Sequence, residues 1–234
     1  MNWLIVVAGG RGERMDLGFN KVFAKLGNLP LLYWTLLAFE KSKVIDNIIV
    51  SASEDDLKKI KEIVKKYKFG KVKEVVKASD SRQNSTLAIL KALKPRMRRG
   101  DLVGVHNGVN PFVREDEIRK VYENASVYGA ALLAQAAKDT IKIVDKRGLV
   151  AKTPPRQYSW YAQTPQVATF ANLWKAYLAA EAENFIGTDD AQLLERIGIK
   201  PKIVPCSNQN FKITFKEDLV MARHVLQNWG YNGD

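Results

Sequence analysis

Apolar runs and amphipathic stretches alternate along the first two-thirds of the chain. Leu4-Ile5-Val6-Val7-Ala8 reads as a buried strand, because β-branched residues follow one another without a polar face. Pro30 opens a helix carrying Leu31, Leu32, Trp34, Leu36, Leu37 and Phe39. Asn47 to Ser53 predicts a second strand, and Leu57, Ile60 and Val64 recur at helical spacing after it. Val72 to Val76 predicts a third strand, and Leu87, Leu90 and Leu93 mark the next helix. Asp101 to Val105, a helix over roughly Glu115 to Val127, and a strand over Ala130 to Ala136 continue the alternation. Strands apolar on both faces, separated by helices, predict an α/β fold with a mainly parallel sheet covered on both sides. Ligands of such sheets bind beyond the carboxyl ends of the strands.

From Asp139 to Trp160 the pattern breaks. Thr140, Ile141, Ile143 and Val144 are interleaved with polar residues, Lys146-Arg147-Gly148 makes a turn, and a second mixed run ends at Pro154-Pro155. A hairpin with so little core of its own is usually an arm laid on something else. The chain is expected to return through Tyr161-Ala162-Gln163-Thr164-Pro165-Gln166, as connection rather than strand, to a helix near Phe170–Ala182. Thr188-Asp189-Asp190 caps a helix carrying Leu193, Leu194 and Ile197. A last strand at Lys202–Val204 and the run Asn210-Phe211-Lys212-Ile213-Thr214 lead into a C-terminal helix. No repeat, low-complexity tract or linker divides the chain, so residues 1–234 are expected to form one domain with an arm at about 139–160.

Charge adds a question to this outline. The 234 residues carry a formal charge of +12, which fits either a nucleic-acid partner or an anionic small substrate. Many of the lysines fall between Lys58 and Lys77, around the Leu57, Ile60 and Val64 stripe, and so read as a solvated helix face. No helix-turn-helix, zinc-finger or aromatic RNA-binding signature accompanies them, which makes nucleic acid an unlikely partner. Cys206 is the single cysteine, excluding an intrachain disulfide framework and reading as a small buried filler in a protein of the reducing cytoplasm. Two histidines, His106 and His224, make a histidine-rich metal centre improbable. No apolar run is long enough to cross a membrane.

The chemistry concentrates where the first strand ends, in Ala8-Gly9-Gly10-Arg11-Gly12-Glu13-Arg14-Met15 followed by Lys21. Glycines bring bare N–H groups close to a ligand, and convergent N–H groups with basic side chains are what a polyphosphate needs. The Gly-Lys-Ser/Thr ending of the P-loop and the third glycine of the dinucleotide fingerprint are both missing.

Taken with Arg82-Gln83-Asn84-Ser85 before a helix, Val105-His106 with Pro111, Lys138-Asp139-Thr140-Ile141-Lys142, Arg156 ahead of Trp160, Gln163-Thr164-Pro165-Gln166, Thr188-Asp189-Asp190-Ala191 and Asn210-Phe211-Lys212-Ile213-Thr214, this loop gives the chain a family likeness. It resembles the 2-C-methyl-D-erythritol 4-phosphate cytidylyltransferases, and more broadly the small cytidylyltransferases of sugar-alcohol phosphates, over nearly its whole length.

The resemblance implies a Rossmann-like three-layer sandwich of the nucleotide-diphospho-sugar transferase type, with a β-hairpin arm that joins a homodimer. It implies transfer of CMP from CTP to 2-C-methyl-D-erythritol 4-phosphate with release of pyrophosphate, a step in isoprenoid precursor synthesis by the non-mevalonate route. Mg²⁺ is expected as cofactor, held mainly by CTP. By position, Arg14 and Lys21 would neutralise charge on the triphosphate and the transition state. Ala8, Gly9, Gly10 and Gly12 would cradle the nucleotide, and Ser79, Asp80 and Ser85 would read cytosine and ribose. Thr140, Arg156 and Lys212 would hold the acceptor phosphate, with Thr140 and Arg156 serving the partner's site. Arg156 and Lys212 count with Arg14 and Lys21 as the catalytic set.

The chain departs from the family where Asp-Ala-Ala-Arg-Pro is usual, reading Asn107-Gly108-Val109-Asn110-Pro111. Gln209 replaces an aspartate, and Ala78-Ser79 replaces paired glycines. Asn107 and Asn110 therefore stand as substrate-binding positions with changed chemistry, and no metal ligand is assigned. Three outcomes follow in order: an active enzyme with altered metal dependence, a relative acting on another polyol or pentulose phosphate such as ribitol or ribulose 5-phosphate, or a nucleotide binder that has lost its chemistry.

Overall fold

The computed structural model describes residues 1–10, 15 and 18–229. Its centre is a seven-stranded sheet. Strand β1 (Asn2–Val7) lies in the middle, and the short hairpin β2 (Lys25–Leu26) and β3 (Leu29–Pro30) leads to helix α1 (Leu31–Lys41). Then come β4 (Asn47–Ala52), α2 (Leu57–Lys66), β5 (Val72–Lys77), α3 (Arg82–Leu93), β6 (Leu102–Asn107), α4 (Glu115–Tyr128) and β7 (Ala130–Ala136). A small hairpin of β8 (Ile143–Val144) and β9 (Val150–Lys152) precedes β10 (Trp160–Thr169). Helices α5 (Phe170–Ala182) and α6 (Asp190–Arg196), strand β11 (Lys202–Pro205) and helix α7 (Lys216–Asn228) complete the order.

The strands lie side by side as β11-β7-β10-β6-β1-β4-β5. β1 is parallel to both β4 and β6, β4 to β5, and β7 to β11. Alternation along β1 explains the three layers. Leu4 and Val6 face one way and join the buried side chains of α1, α2, α4 and α7. Trp3 and Ile5 face the other way and pack with α3, α5 and α6. The expected α/β sandwich is therefore what forms, with a core on each side of the sheet.

One expectation needs correcting. Residues 161–166 read as a returning connection, yet they belong to β10, which runs antiparallel between β6 and β7 in the interior of the sheet. The pairing of β10 with β7 shifts register between Ala162 and Gln166. That irregularity accommodates Pro165, which has no N–H to give a ladder. The same stretch carries glutamines and no alternating apolar run, so its pattern conceals the strand.

A two-stranded hairpin forms within the stretch read as an arm. β8 and β9 pair only with each other, and Ile143, Val144, Leu149 and Val150 are all exposed. Among the described residues no helix is long and apolar enough to cross a membrane.

Candidate functional site

The chain passes from β1 to β4 and β5 on one side, then crosses back to β6 on the other side of β1. The crevice beyond the carboxyl ends of β1 and β6 is thus a topological switch point, where α/β sheets bind ligands. A cavity of about 700 Å³ opens there, lined by residues that follow β1 (Ala8, Gly9, Gly10), β4 (Ser53, Glu54) and β5 (Ala78, Ser79, Asp80), and by Asn107 at the end of β6.

Ala8 closes the strand by donating its N–H to Ser51 O at 2.8 Å. The two described glycines of the loop differ in their surroundings. A Cβ on Gly9 would lie 2.7 Å from the Cβ of Ala78, so the close approach of two strand ends demands its absence. Among the described residues a Cβ on Gly10 would meet nothing within 4 Å. Gly12 and Arg14 lie outside the described residues.

Lys21 reaches the cavity from a short turn, Lys21–Phe23, whose N-cap is Asn20. Lys212 comes from the other end of the sequence. Its segment is anchored on both sides, Asn210 Nδ2 donating to Thr164 O at 2.9 Å and Ile213 N to Val109 O at 3.0 Å. The phosphate loop and two lysines 191 positions apart thereby share one wall.

The loop before α3 is a self-braced element. Ser81 caps the helix, its Oγ accepting from Asn84 N at 3.0 Å. Ser85 is buried, and its hydroxyl donates to Ser81 O at 2.6 Å while accepting from Ser79 N at 2.9 Å. Ser85 thus lines the cavity chiefly as the brace of this loop. Asp80 accepts from Asn84 Nδ2 at 2.8 Å.

Arg82 also lines the cavity, with its guanidinium turned back onto buried Asp190. Burial alone would lower its pKa, but the Asp190 carboxylate and its hydrogen bonds outweigh that, holding the cation above its ordinary range. Nothing in the sequence pairs these two positions.

Asn107 is on the cavity wall, its Nδ2 turned inward to Asn110 Oδ1 at 3.2 Å and Thr164 Oγ1 at 3.4 Å. That leaves Oδ1 as the amide atom offered to a ligand. Asn110 is wholly buried behind it and is not part of the lining. Gln209 accepts from Trp229 Nε1 at 3.2 Å and is also outside the lining, so the departures that change the cavity wall itself are Asn107 and the Ala78-Ser79 pair. Thr140 and Arg156 are exposed in the arm region, away from this cavity, with Arg156 Nη1 donating to Lys138 O at 3.4 Å.

The donor set bears on the expected magnesium. Among the described residues the carboxylates on the wall are Glu54 and Asp80, the first ion-paired with Lys77 and the second bonded to Asn84. Among the described residues no group of three or more His, Cys, Asp or Glu is placed to hold a metal ion. Cys206, expected to be buried, is half-buried against the core, its thiol pushed up to about 12 chiefly by burial and then by the Glu117 charge.

Residues 3–228 match the family described as 2-C-methyl-D-erythritol 4-phosphate cytidylyltransferase. A protein of that name from Geobacter metallireducens is 39% identical over 224 residues, covering 95% of this chain and 96% of the relative. Its counterpart from Halalkalibacterium halodurans is 40% identical over 223 residues, with the same coverage of 95% and 96%. Among solved structures, the 4-diphosphocytidyl-2C-methyl-D-erythritol synthase of Anaerococcus prevotii superposes with a TM-score of 0.85 at 35% identity, covering 97% of this chain and 96% of its own.

Proposed function

The chain belongs to the 2-C-methyl-D-erythritol 4-phosphate cytidylyltransferase family, and from that premise we propose how its residues divide the work. The enzyme moves CMP from CTP to 2-C-methyl-D-erythritol 4-phosphate and releases pyrophosphate, a step of isoprenoid precursor synthesis. A phosphate oxygen of the acceptor attacks the α-phosphorus, and the bond from that phosphorus to the bridging oxygen of pyrophosphate breaks. No proton transfer is obligatory, so catalysis is a matter of alignment and charge stabilisation.

One observation carries the assignment of roles: the glycine loop, Lys21 and Lys212 line a single cavity at the switch point of the sheet. Ala8, Gly9 and Gly10 receive the triphosphate. Lys21, with Arg14, neutralises the charge that builds as the α-phosphorus is attacked. Ser79 and Asp80 face the nucleoside, and Ser85 keeps their loop in shape. Lys212 takes the acceptor phosphate. Asn107 presents an amide oxygen to the acceptor side, with Asn110 steadying it from below.

Magnesium would be held mainly by the oxygens of CTP, where it would lower the charge of the triphosphate. Thr140 and Arg156 do not line the cavity of their own chain, and they complete the site of a second subunit in a homodimer. The cytoplasm is the compartment that supplies CTP and suits a chain with one inert thiol.

The decisive experiment incubates the protein with each of the four NTPs and with 2-C-methyl-D-erythritol 4-phosphate, ribitol 5-phosphate or ribulose 5-phosphate, measuring pyrophosphate. Release confined to CTP with the methylerythritol phosphate is expected. Comparable release with ribitol or ribulose 5-phosphate would reassign the acceptor.

A further inference from the structure

Asn20 holds three elements of the cavity together. Its Nδ2 donates to Ala8 O at 2.8 Å, across 12 positions of sequence, and to Asp56 Oδ2 at 2.8 Å. Its Oδ1 accepts from Val22 N at 3.2 Å, capping the turn that carries Lys21. Asp56 in turn accepts from Ser53 Oγ at 2.6 Å, beyond the end of β4. The amide can be oriented in only one way, because the Ala8 carbonyl can only accept and the Val22 N–H can only donate. Asn20 and Lys21 are 8% and 9% exposed, so this is a buried brace and not a surface contact.

The chemistry requires an amide here. Aspartate would offer no donor to the Ala8 carbonyl, serine has too few groups and too short a reach for all three partners, and alanine would leave the carbonyl without this contact. What the brace connects is the residue that opens the glycine loop and the turn that presents Lys21. Those two elements must grip one triphosphate from two sides, and their separation sets where the lysine charge lies relative to the α-phosphorus.

We propose that Asn20 is a positioning residue that fixes Lys21 relative to the phosphate loop, so that the lysine charge is aligned with the transition state. The proposal rests on Lys21 serving the triphosphate. It differs from a general structural role, because its effect must pass through Lys21. Misplacing a catalytic group by about 1 Å can cost on the order of 10²-fold in rate.

The test is a double-mutant cycle read by pyrophosphate release at saturating CTP and methylerythritol phosphate. Lys21→Ala alone should lower kcat by about 10²–10³. Asn20→Ala should lower kcat by roughly 10–10² and leave the KM for the acceptor within about twofold. In the Lys21→Ala background the same change should cost less than about threefold, since the group it positions is gone. A further variant, Asn20→Asp with Asp56→Asn, keeps a bond between positions 20 and 56 and the cap on Val22, reverses the bond to Ser53 Oγ, and sets a carboxylate oxygen against the Ala8 carbonyl in place of the donor. It should be as slow as Asn20→Ala. A wild-type kcat in either Asn20 variant, or an equal loss with and without Lys21, overturns the proposal. Normal turnover by Lys21→Ala alone would instead remove the role assigned to Lys21 under the proposed function.

Discussion

Arg82 and Asp190, 108 positions apart in the sequence, form a two-pronged ion pair just behind the cavity wall. Asp190 is 1% exposed and begins α6, while Arg82 begins α3, so the pair locks the first turns of two helices to each other. Tyr177 of α5 donates its hydroxyl to the same carboxylate, and burial together with that carboxylate's charge raises the phenol well above its ordinary range. Gln83 tightens the same seam, donating to Phe185 O at 2.9 Å and accepting from Gly187 N at 2.9 Å.

Replacing Asp190 by asparagine keeps the shape and removes the charge. It removes the carboxylate bonded to a partly buried guanidinium and leaves only the more weakly acting Asp189 charge nearby, where breaking a fully buried pair costs about 3–5 kcal/mol. The Arg82 side chain is 30% exposed, so solvent screens part of the loss and about 2–3 kcal/mol is expected. Urea denaturation of the two proteins measures it. An unchanged midpoint would mean that the pair contributes no net stability.

The arm predicts an oligomer. Ile143, Val144, Leu149 and Val150 are 49%, 53%, 57% and 60% exposed on a hairpin whose two strands pair with nothing else. Such a hairpin is marginal alone in water. Sedimentation should show a dimer at assay concentration, and Val150→Lys with Ile143→Lys should shift it to monomer with a loss of turnover. A fully active monomer would remove both the dimer and the shared use of Thr140 and Arg156.

Where a pattern is local, the sequence can be read directly. The periodic apolar positions of α1, α3 and α4 and the short runs of β1, β4 and β6 reflect burial on their own faces. β10 escapes because its interior position is set by its neighbours, not by its composition of Gln163, Thr164, Pro165 and Gln166. The glycine loop and Lys21 are legible because phosphate chemistry needs those residue types close together in the chain. The Arg82–Asp190 pair and the Asn20 brace are not, since each joins residues that only the folded topology brings within hydrogen-bonding distance. Lys212 is legible only through family likeness, as its own surroundings in sequence carry no signal.

His106 gives the protein an acid-sensitive step. Its ring is fully buried, its Nε2–H donates to Asn110 O at 2.9 Å, and the ring meets Phe39 edge-on at 4.7 Å. Burial lowers its pKa to about 4, against the raising effect of the Asn110 and Thr164 carbonyls. The unfolded chain takes up that proton near pH 6.5 and the native one only near 4, so stability is lost as pH falls through this window. About 3 kcal/mol is at stake. His106→Gln should flatten the decline between pH 7 and pH 4. Comparing the two proteins at each pH cancels the carboxylates that titrate in both, Asp101 among them. Parallel pH profiles would refute a neutral buried imidazole.

Asn107 stands where the family likeness leads one to expect an aspartate. Magnesium prefers carboxylate oxygen and gives up its waters reluctantly, so an amide oxygen holds it more weakly. With Glu54 paired to Lys77 and Asp80 bonded to Asn84, the ion is expected to depend on triphosphate oxygens and water, and half-maximal rate should require a high Mg²⁺ concentration. Asn107→Asp should lower that concentration. The site can accept the change, because the buried Nδ2 of Asn110 has no hydrogen-bond partner. Turning the Asn110 amide over would present that donor to the new carboxylate where its Oδ1 now accepts from Asn107 at 3.2 Å. An opposing effect acts when metal is absent, since a carboxylate near the triphosphate repels the nucleotide. The measurement is therefore a magnesium titration of both proteins at saturating CTP, where that repulsion is overcome. A lower half-saturation in Asn107→Asp places residue 107 beside the ion. Unchanged metal dependence with normal turnover would place it on the acceptor side alone, and its amide oxygen would then be a ligand for the polyol and not for the metal.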